Sequence, residues 1–425
     1  MTESTATETG GRPRKRWWQR IGPGLVTACV VIGPGSVLTS SSTGARYGFA
    51  MNWVVVVAVL FMMAYTTMSA RLGVVTSETT GTIVARYFGR WLSVLIGCAV
   101  FFIASAFQFG NNLGVHSAIQ PFWPSVVPLL LLNLLTLLFL FGFQNLYRAV
   151  ERLMMVLVAT MLAAFALNLG FARPDPVAWL RGFIPTIDWP PDIALLGLIG
   201  TTFVITAAYY QSYLVKQKGW GEEDVEDSLR DARIGAMIMA VITLMIMGTA
   251  GAVLRGAKLA DVADVARQLE PLFGKAGQAI FCAGLFAAAY SSFLVNSMIG
   301  GFILADGLGL ARRPDSFIAR LFTAVVLLTG MGVALYVIST GTKPVGAIVA
   351  AQAVTVVASP LMAAILLWAC NSPRVVGARR PSLLMNLVAA VGFVVLLAMA
   401  CHIAVDRVWP ALAGLLRAAG SGGSS

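Results

Sequence analysis

The stretch VVIGPGSVLTSS sets Gly33, Pro34, Gly35 and Ser36 in the middle of an apolar run. A proline between two glycines breaks a helix. In lipid, such a break survives only where it is buried in protein or lines a cavity, because its freed N–H and C=O groups need partners. A solute held at the break supplies them. The half-helix that resumes near Gly35, Ser36 and Val37 turns free N–H groups and a positive dipole end toward that point. Glycine lets a ligand come close to the backbone, and a positive φ is expected at Gly35. A second run, DIALLGLIGTTFVITAAYYQSYLV, has no proline but carries Gly197, Gly200, Thr201, Thr202 and Thr206 ahead of Tyr209, Tyr210 and Gln211. Thr206 is read either as a cavity-lining hydroxyl or as one that bonds back to a helix carbonyl. Tyr209 and Tyr210 are either a gate over the solute or packing. Gln108, Asn111 and Asn112 are costly in lipid and must face the protein interior, as solute contacts or as interhelical hydrogen bonds.

Other chemistry is poorly provided for. The chain has 19 acidic residues, and none falls near the middle of the first ten apolar runs. Glu151 and Asp192 sit at run ends, and Asp306 follows the eighth. The only histidines are His116 and His402. His116 is the one candidate for carrying a coupling proton, and no sodium site is visible. Cys29, Cys98, Cys282, Cys370 and Cys401 lie in or beside apolar runs without close pairs, so neither a disulfide framework nor a metal or other cofactor is expected. No intramembrane Asp pair, Ser–His dyad or HExxH appears, so the chain is not read as an enzyme.

The elements that must position these residues are long apolar helices. Hydrophobic residues make up 58% of the 425, charged residues only 12%, and mean hydropathy is +0.81. At roughly 20 apolar residues per bilayer crossing, eleven spans are expected, at roughly 22–46, 51–70, 93–116, 125–145, 151–171, 192–215, 234–254, 277–304, 318–339, 345–369 and 383–405. They define a transmembrane domain at 21–408, between a basic tail at 1–20 and a C-terminal tail at 409–425 that ends in a flexible GSGGSS. With the N-terminus inside, 20 of the 30 Lys and Arg fall on the inner side. That bias predicts a cytoplasmic N-terminus and an extracytoplasmic C-terminus in the cell membrane. The net charge of +11 thus reads as topology, not as nucleic-acid binding. The acidic segment 219–233, GWGEEDVEDSLRDAR, is expected to be a solvated amphipathic helix leading into span 7.

The breaks in spans 1 and 6 are five helices apart, as in an inverted-repeat transporter with a midplane site. The residues themselves resemble a known family. IGPGLVTACVVIGPGSVLTSSSTGARYGF and MSARLGVVT, then QSYLV, RIGAMIMAVITL, AAYSSFLVNSMIGGFIL, AAQAVTVVASPLMAAILL and NSPRVVG, are similar in order to the Nramp metal-ion transporters. The resemblance implies an all-α polytopic fold like that of the amino-acid transporter LeuT: two inverted five-helix repeats plus an eleventh helix, with spans 1 and 6 unwound.

The family's metal ligands do not carry over. Its Asp-Pro-Gly-Asn in span 1 corresponds here to Gly33, Pro34, Gly35 and Ser36. Its Met-Pro-His in span 6 falls on Val204, Ile205 and Thr206, and a second histidine on Gln211. Gln352 occupies a span-10 position that approaches the site in the family. The site expected from sequence is therefore Gly33, Pro34, Gly35, Ser36, Asn112, Val204, Thr206, Tyr209 and Gln352. The function expected is secondary transport by alternating access, with a remodelled non-metal site for a small organic anion or amino-acid-like solute. A divalent-metal transporter, for Mg²⁺ or Mn²⁺, is the alternative. A transport-dead sensor would usually carry an output domain, and none is visible.

Overall fold

The computed structural model describes residues 22–405 and 409–410, apart from 144, 187–192, 260–261, 312, 314 and 342–344. The 1–20 tail, Asp192 and all but two residues of the 409–425 tail lie outside the described residues. Among the described residues there is no strand.

The helices follow the expected spans. Span 1 is α1 (Pro23–Val31) and α2 (Pro34–Tyr47), bent by 60°. Span 2 is α3 (Asn52–Val75), followed by the short α4 (Thr80–Phe88). Spans 3 to 5 are α5 (Arg90–Ile119), α6 (Val127–Gly142) and α7 (Leu146–Ala172), with α8 (Pro176–Arg181) in the next connection. Span 6 is again two helices, α9 (Ile193–Thr202) and α10 (Ile205–Lys218). Spans 7 to 9 are α11 (Val225–Val253), α12 (Val262–Gly307, kinked at Gly274) and α13 (Phe317–Thr340). Span 10 is α14 (Val345–Asn371), then come α15 (Pro373–Val376) and span 11, α16 (Leu383–Ile403). Among the described residues, seven helices are long and apolar enough to cross a bilayer, eight if α1 and α2 count as one bent span. The remaining three positions are filled by α6, by α9 with α10, and by α14.

Polar residues at the span ends set the helix starts. Thr79, Asn145, Ser316 and Ser382 each accept a backbone N–H from the first turn of the helix they precede, which satisfies donors that the helix itself leaves free. On the outside of the bundle, Leu134, Leu135 and Leu138 of α6 and Leu383, Leu384 and Leu387 of α16 are exposed. In water that would be unfavourable, so this surface belongs in lipid.

Span 1 breaks for the reasons its sequence gives. Ile32 and Gly33 leave the helical region, with ψ of 76° and −177°. Pro34 then starts α2 at its first position, where a missing N–H costs nothing. Neither Gly33 nor Gly35 has a positive φ, so the conformation expected at Gly35 is not what the break needs. Span 6 breaks at Phe203 and Val204, the latter extended at φ −92°, ψ 95°. Phe203 is 2% exposed and packs between Phe61 and Tyr65, with ring centroids 5.7 and 5.4 Å away. That anchor stands in for the absent proline.

Candidate functional site

The break in span 1 is fixed from three sides. Pro34 seats on α5 at Gly114, where a Cβ would lie 2.6 Å from Pro34 Cβ. From α12, Ser291 Oγ lies 3.2 Å from Cys29 O and 3.0 Å from Ala288 O of its own helix, and Ser292 Oγ lies 3.1 and 3.0 Å from Cys29 O and Val30 O. These serines occupy the last carbonyls of α1, groups that a helix end leaves unpaired. From α9, Thr201 supplies a carbonyl that lies 3.1 Å from Ser36 Oγ, which is also 2.5 Å from Val31 O. The single Ser36 proton is thus shared between the ends of α1 and α9. One turn on, Thr39 Oγ1 and Thr201 Oγ1 are 2.8 Å apart and join α2 to α9. Thr201 also bonds back to Gly197 O, as a threonine within a helix often does.

What remains unused defines the chemistry. Neither α2 nor α10 has a side-chain cap. The first-turn N–H groups of Gly35 and Ser36, and of Ile205 and Thr206, therefore have no intrahelical acceptor. Gly35 is exposed, and a Cβ there would meet only Thr201 Cγ2, at 3.9 Å. A Cβ on Gly33 would lie 2.7 Å from Ser292 Oγ and 3.7 Å from Asn111 Oδ1. Among the described residues no three His, Cys, Asp or Glu side chains gather as they would to hold a metal ion.

The expected residues divide accordingly. Gly33, Pro34, Gly35 and Ser36 form the first break, and Val204 and Thr206 open α10 at the second. Tyr209 is 1% exposed and packs on Tyr213, while Tyr210 stacks on Tyr213 and reaches Phe302. Both tyrosines pack in the buried core. Asn112 is fully buried, donating to Gln108 O and accepting from Asn133 of α6. It links helices, and its neighbour Asn111 is the one beside Gly33. Gln211 is buried against Thr27 of α1. Gln352 lies on α14, but its side chain is outside the described residues. His116 is half-buried in the last turn of α5. Thr39 was not expected, although its i+3 spacing from Ser36 puts both on one helix face.

The far end of α1 is held as firmly. Asp231 of α11 accepts from Gly22 N at 2.7 Å and Gly24 N at 2.6 Å, so a carboxylate caps the helix start. It is fully buried, which corrects the expectation that segment 219–233 is wholly solvated. Nearby, Lys218 pairs with Glu151, and Lys216 donates to Gly73 O and Thr76 O. Asp306 accepts from Thr79 Oγ1 at 2.6 Å, Gly81 N at 3.0 Å and Tyr213 Oη at 2.7 Å. A cavity of about 1070 Å³ opens at this end, lined by Thr76, Glu78, Asn145, Lys216, Trp220 and Arg313 among others; its lining includes no residue of either break.

Known proteins carry the same plan. Residues 24–406 match the family model of natural resistance-associated macrophage protein-like (Nramp) proteins. The chain is 28% identical over 323 residues to the divalent metal cation transporter MntH of Chromohalobacter salexigens, covering 72% of this chain and 74% of that one. It is 30% identical over 357 residues to MntH of Erwinia tasmaniensis, covering 78% and 83%. Among solved structures, the Eremococcus coleocola manganese transporter aligns with a TM-score of 0.78 at 17% identity, covering 93% of this chain and 89% of that one. MhsT in complex with L-phenylalanine aligns at 0.59 and 15% identity, covering 91% and 100%. At such identities these two speak for the fold alone. That fold is LeuT-like, two inverted five-helix repeats and an eleventh helix, with spans 1 and 6 interrupted. A family match across nearly all the membrane helices, on a fold with paired breaks, makes this chain a membrane transporter that belongs to the Nramp family.

Proposed function

We propose that the chain is a secondary transporter that works by alternating access and carries a small divalent cation, Mg²⁺ or Mn²⁺, on a site rebuilt from neutral oxygens. The observation that carries this reading is the neighbourhood of Gly33. The two nearest side-chain groups are oxygen-bearing, Ser292 and Asn111, and Ser36, Thr39 and Thr201 add three hydroxyls within one hydrogen-bonded group. The C-terminal, negative ends of α1 and α9 also point at the breaks. Oxygen ligands suit hard cations, and Mg²⁺ keeps several of its waters when bound, so it needs few protein ligands and tolerates neutral ones. The relatives named as divalent metal cation transporters favour this solute. Softer ions are disfavoured, because neither sulfur nor imidazole stands at Val204 or Thr206.

A second reading is favoured by the uncapped N-termini of α2 and α10. Their free N–H groups suit a carboxylate, so an amino-acid-like solute would set its carboxylate there and its ammonium on the oxygens. The Lys and Arg bias supports an N-terminus in the cytoplasm and a C-terminus outside. That arrangement puts the Asp231 end of α1 and the 1070 Å³ cavity on the inner side. Uptake of Mn²⁺, Mg²⁺ and radiolabelled amino acids into liposomes holding the purified chain separates the two readings. Uptake of the cations supports the first, and uptake of an amino acid with none of either cation replaces it by the second.

A further inference from the structure

Four amides cross the bundle beside the break, and donor logic fixes how each is turned. Gln108 Nε2 lies 2.7 Å from Phe293 O. A carbonyl only accepts, so the nitrogen belongs there and Gln108 Oε1 faces the other way. Two amides converge on that oxygen: Asn296 Nδ2 at 2.8 Å and Asn111 Nδ2 at 3.0 Å. Asn296 Nδ2 is held from its other side by Ala104 O at 3.1 Å. Since Oε1 only accepts, Asn111 must offer its NH₂, and its own oxygen is turned away. That oxygen, Asn111 Oδ1, accepts no hydrogen bond among the described residues and lies 3.7 Å from where a Gly33 side chain would begin. An amide acting only as an interhelical link would leave no acceptor aimed at the break. Asn112, one residue on, shows that alternative: its oxygen and its nitrogen are both used within the bundle.

We propose that Asn111 is a solute ligand of this transporter, through its side-chain carbonyl oxygen, and that Gln108 is the positioning residue that aims it at the span-1 break. The assignment rests on the cation reading above and deepens it. An acceptor set beside Gly33 selects for a cation and against a bare anion. Ser292, the other side chain at that point, turns its proton to the α1 carbonyls, which leaves its Oγ lone pairs as a second acceptor beside the Asn111 carbonyl.

The test measures Mn²⁺ and Mg²⁺ uptake by the full chain in liposomes, with binding of the same ions to the purified protein. Asn111→Leu keeps the volume and removes the oxygen. It raises KM for the cation by roughly tenfold or more, the size of a lost hydrogen bond to a charged group, with little change in maximal rate. Asn111→Asp keeps the oxygen and gives up the bond to Gln108 Oε1, but its added charge attracts the cation more than that bond aims the neutral oxygen, and it lowers KM. Gln108→Met removes the acceptor that aims Asn111 and raises KM without lowering the maximal rate. A purely structural Asn111 gives a different pattern: Asp and Leu both impair, because neither donates to Gln108. A gain in affinity in Asn111→Asp cannot come from a damaged fold, so the test does not depend on every variant being stable. Unchanged KM in Asn111→Leu, or loss of affinity in Asn111→Asp with wild type active, overturns this assignment alone. A wild-type chain that neither binds nor carries either cation overturns the cation reading and this assignment with it.

Discussion

Replacing Asp231 by asparagine should release the start of α1. The carboxylate accepts two buried N–H groups, from Gly22 at 2.7 Å and Gly24 at 2.6 Å. Asparagine keeps one acceptor oxygen and turns an NH₂ toward the other N–H, so one bond is lost and two donors face each other. Hydrogen bonds to charged groups contribute about 1.5–3 kcal/mol. Losing one therefore shifts α1 between docked and undocked positions by a factor of about 10–150. The loss of a negative charge at the helix N-terminus acts in the same direction. The chain carries its own reporter in Cys29, which sits on α1 and is fully buried. With Cys98, Cys282, Cys370 and Cys401 replaced by alanine, the rate of maleimide labelling at Cys29 reads how often α1 undocks. Asp231→Asn should accelerate labelling by about the factor given, with the thermal transition of the purified protein little changed. Equal labelling rates in a folded variant would refute the view that this carboxylate holds the helix closed.

Gly114→Val should push Pro34 off α5, since even a Cβ would lie 2.6 Å from Pro34 Cβ. Overpacking of this kind costs about 1–3 kcal/mol, so a lower melting temperature and lost transport are expected, and wild-type behaviour in both assays would count against Pro34 as the seat of the break. Gly33→Asp should raise affinity for Mn²⁺ in calorimetry, and more so combined with Ser292→Ala, because Ser292 Oγ stands 2.7 Å from the new Cβ. No gain in either variant would show that the Gly33 position does not face the solute. Val225→Cys, in a chain without native cysteines, should be labelled only from the cytoplasmic side, and labelling by an impermeant reagent from outside intact cells would reverse the topology.

The fold was legible because each span carries its own apolar length, and because Gly-Pro-Gly announces the first break. The second break was legible only as a region. No residue between Gly200 and Thr206 forbids a helix, and the chain opens at Phe203–Val204 because Phe203 is pinned between Phe61 and Tyr65. Those partners are about 140 residues away in sequence, so no local pattern reports them. The side chains at the site were harder still. Asn111 and Asn112 differ by about 100° around α5, and composition alone cannot say which of the two faces Gly33. Asp231 looked like one more solvated charge in an acidic segment, and only the packing of α11 on α1 turns it into a buried cap.

The central claim is that a break lined by neutral oxygens still carries a divalent cation. Its most direct test is uptake by the purified wild-type chain in liposomes, with Mn²⁺ and Mg²⁺ measured beside a mixture of labelled amino acids and small carboxylates. The account predicts saturable uptake of Mg²⁺ or Mn²⁺ that is absent from empty liposomes and not displaced by the organic solutes. Saturable uptake of an organic solute, with no flux of either cation, would contradict it.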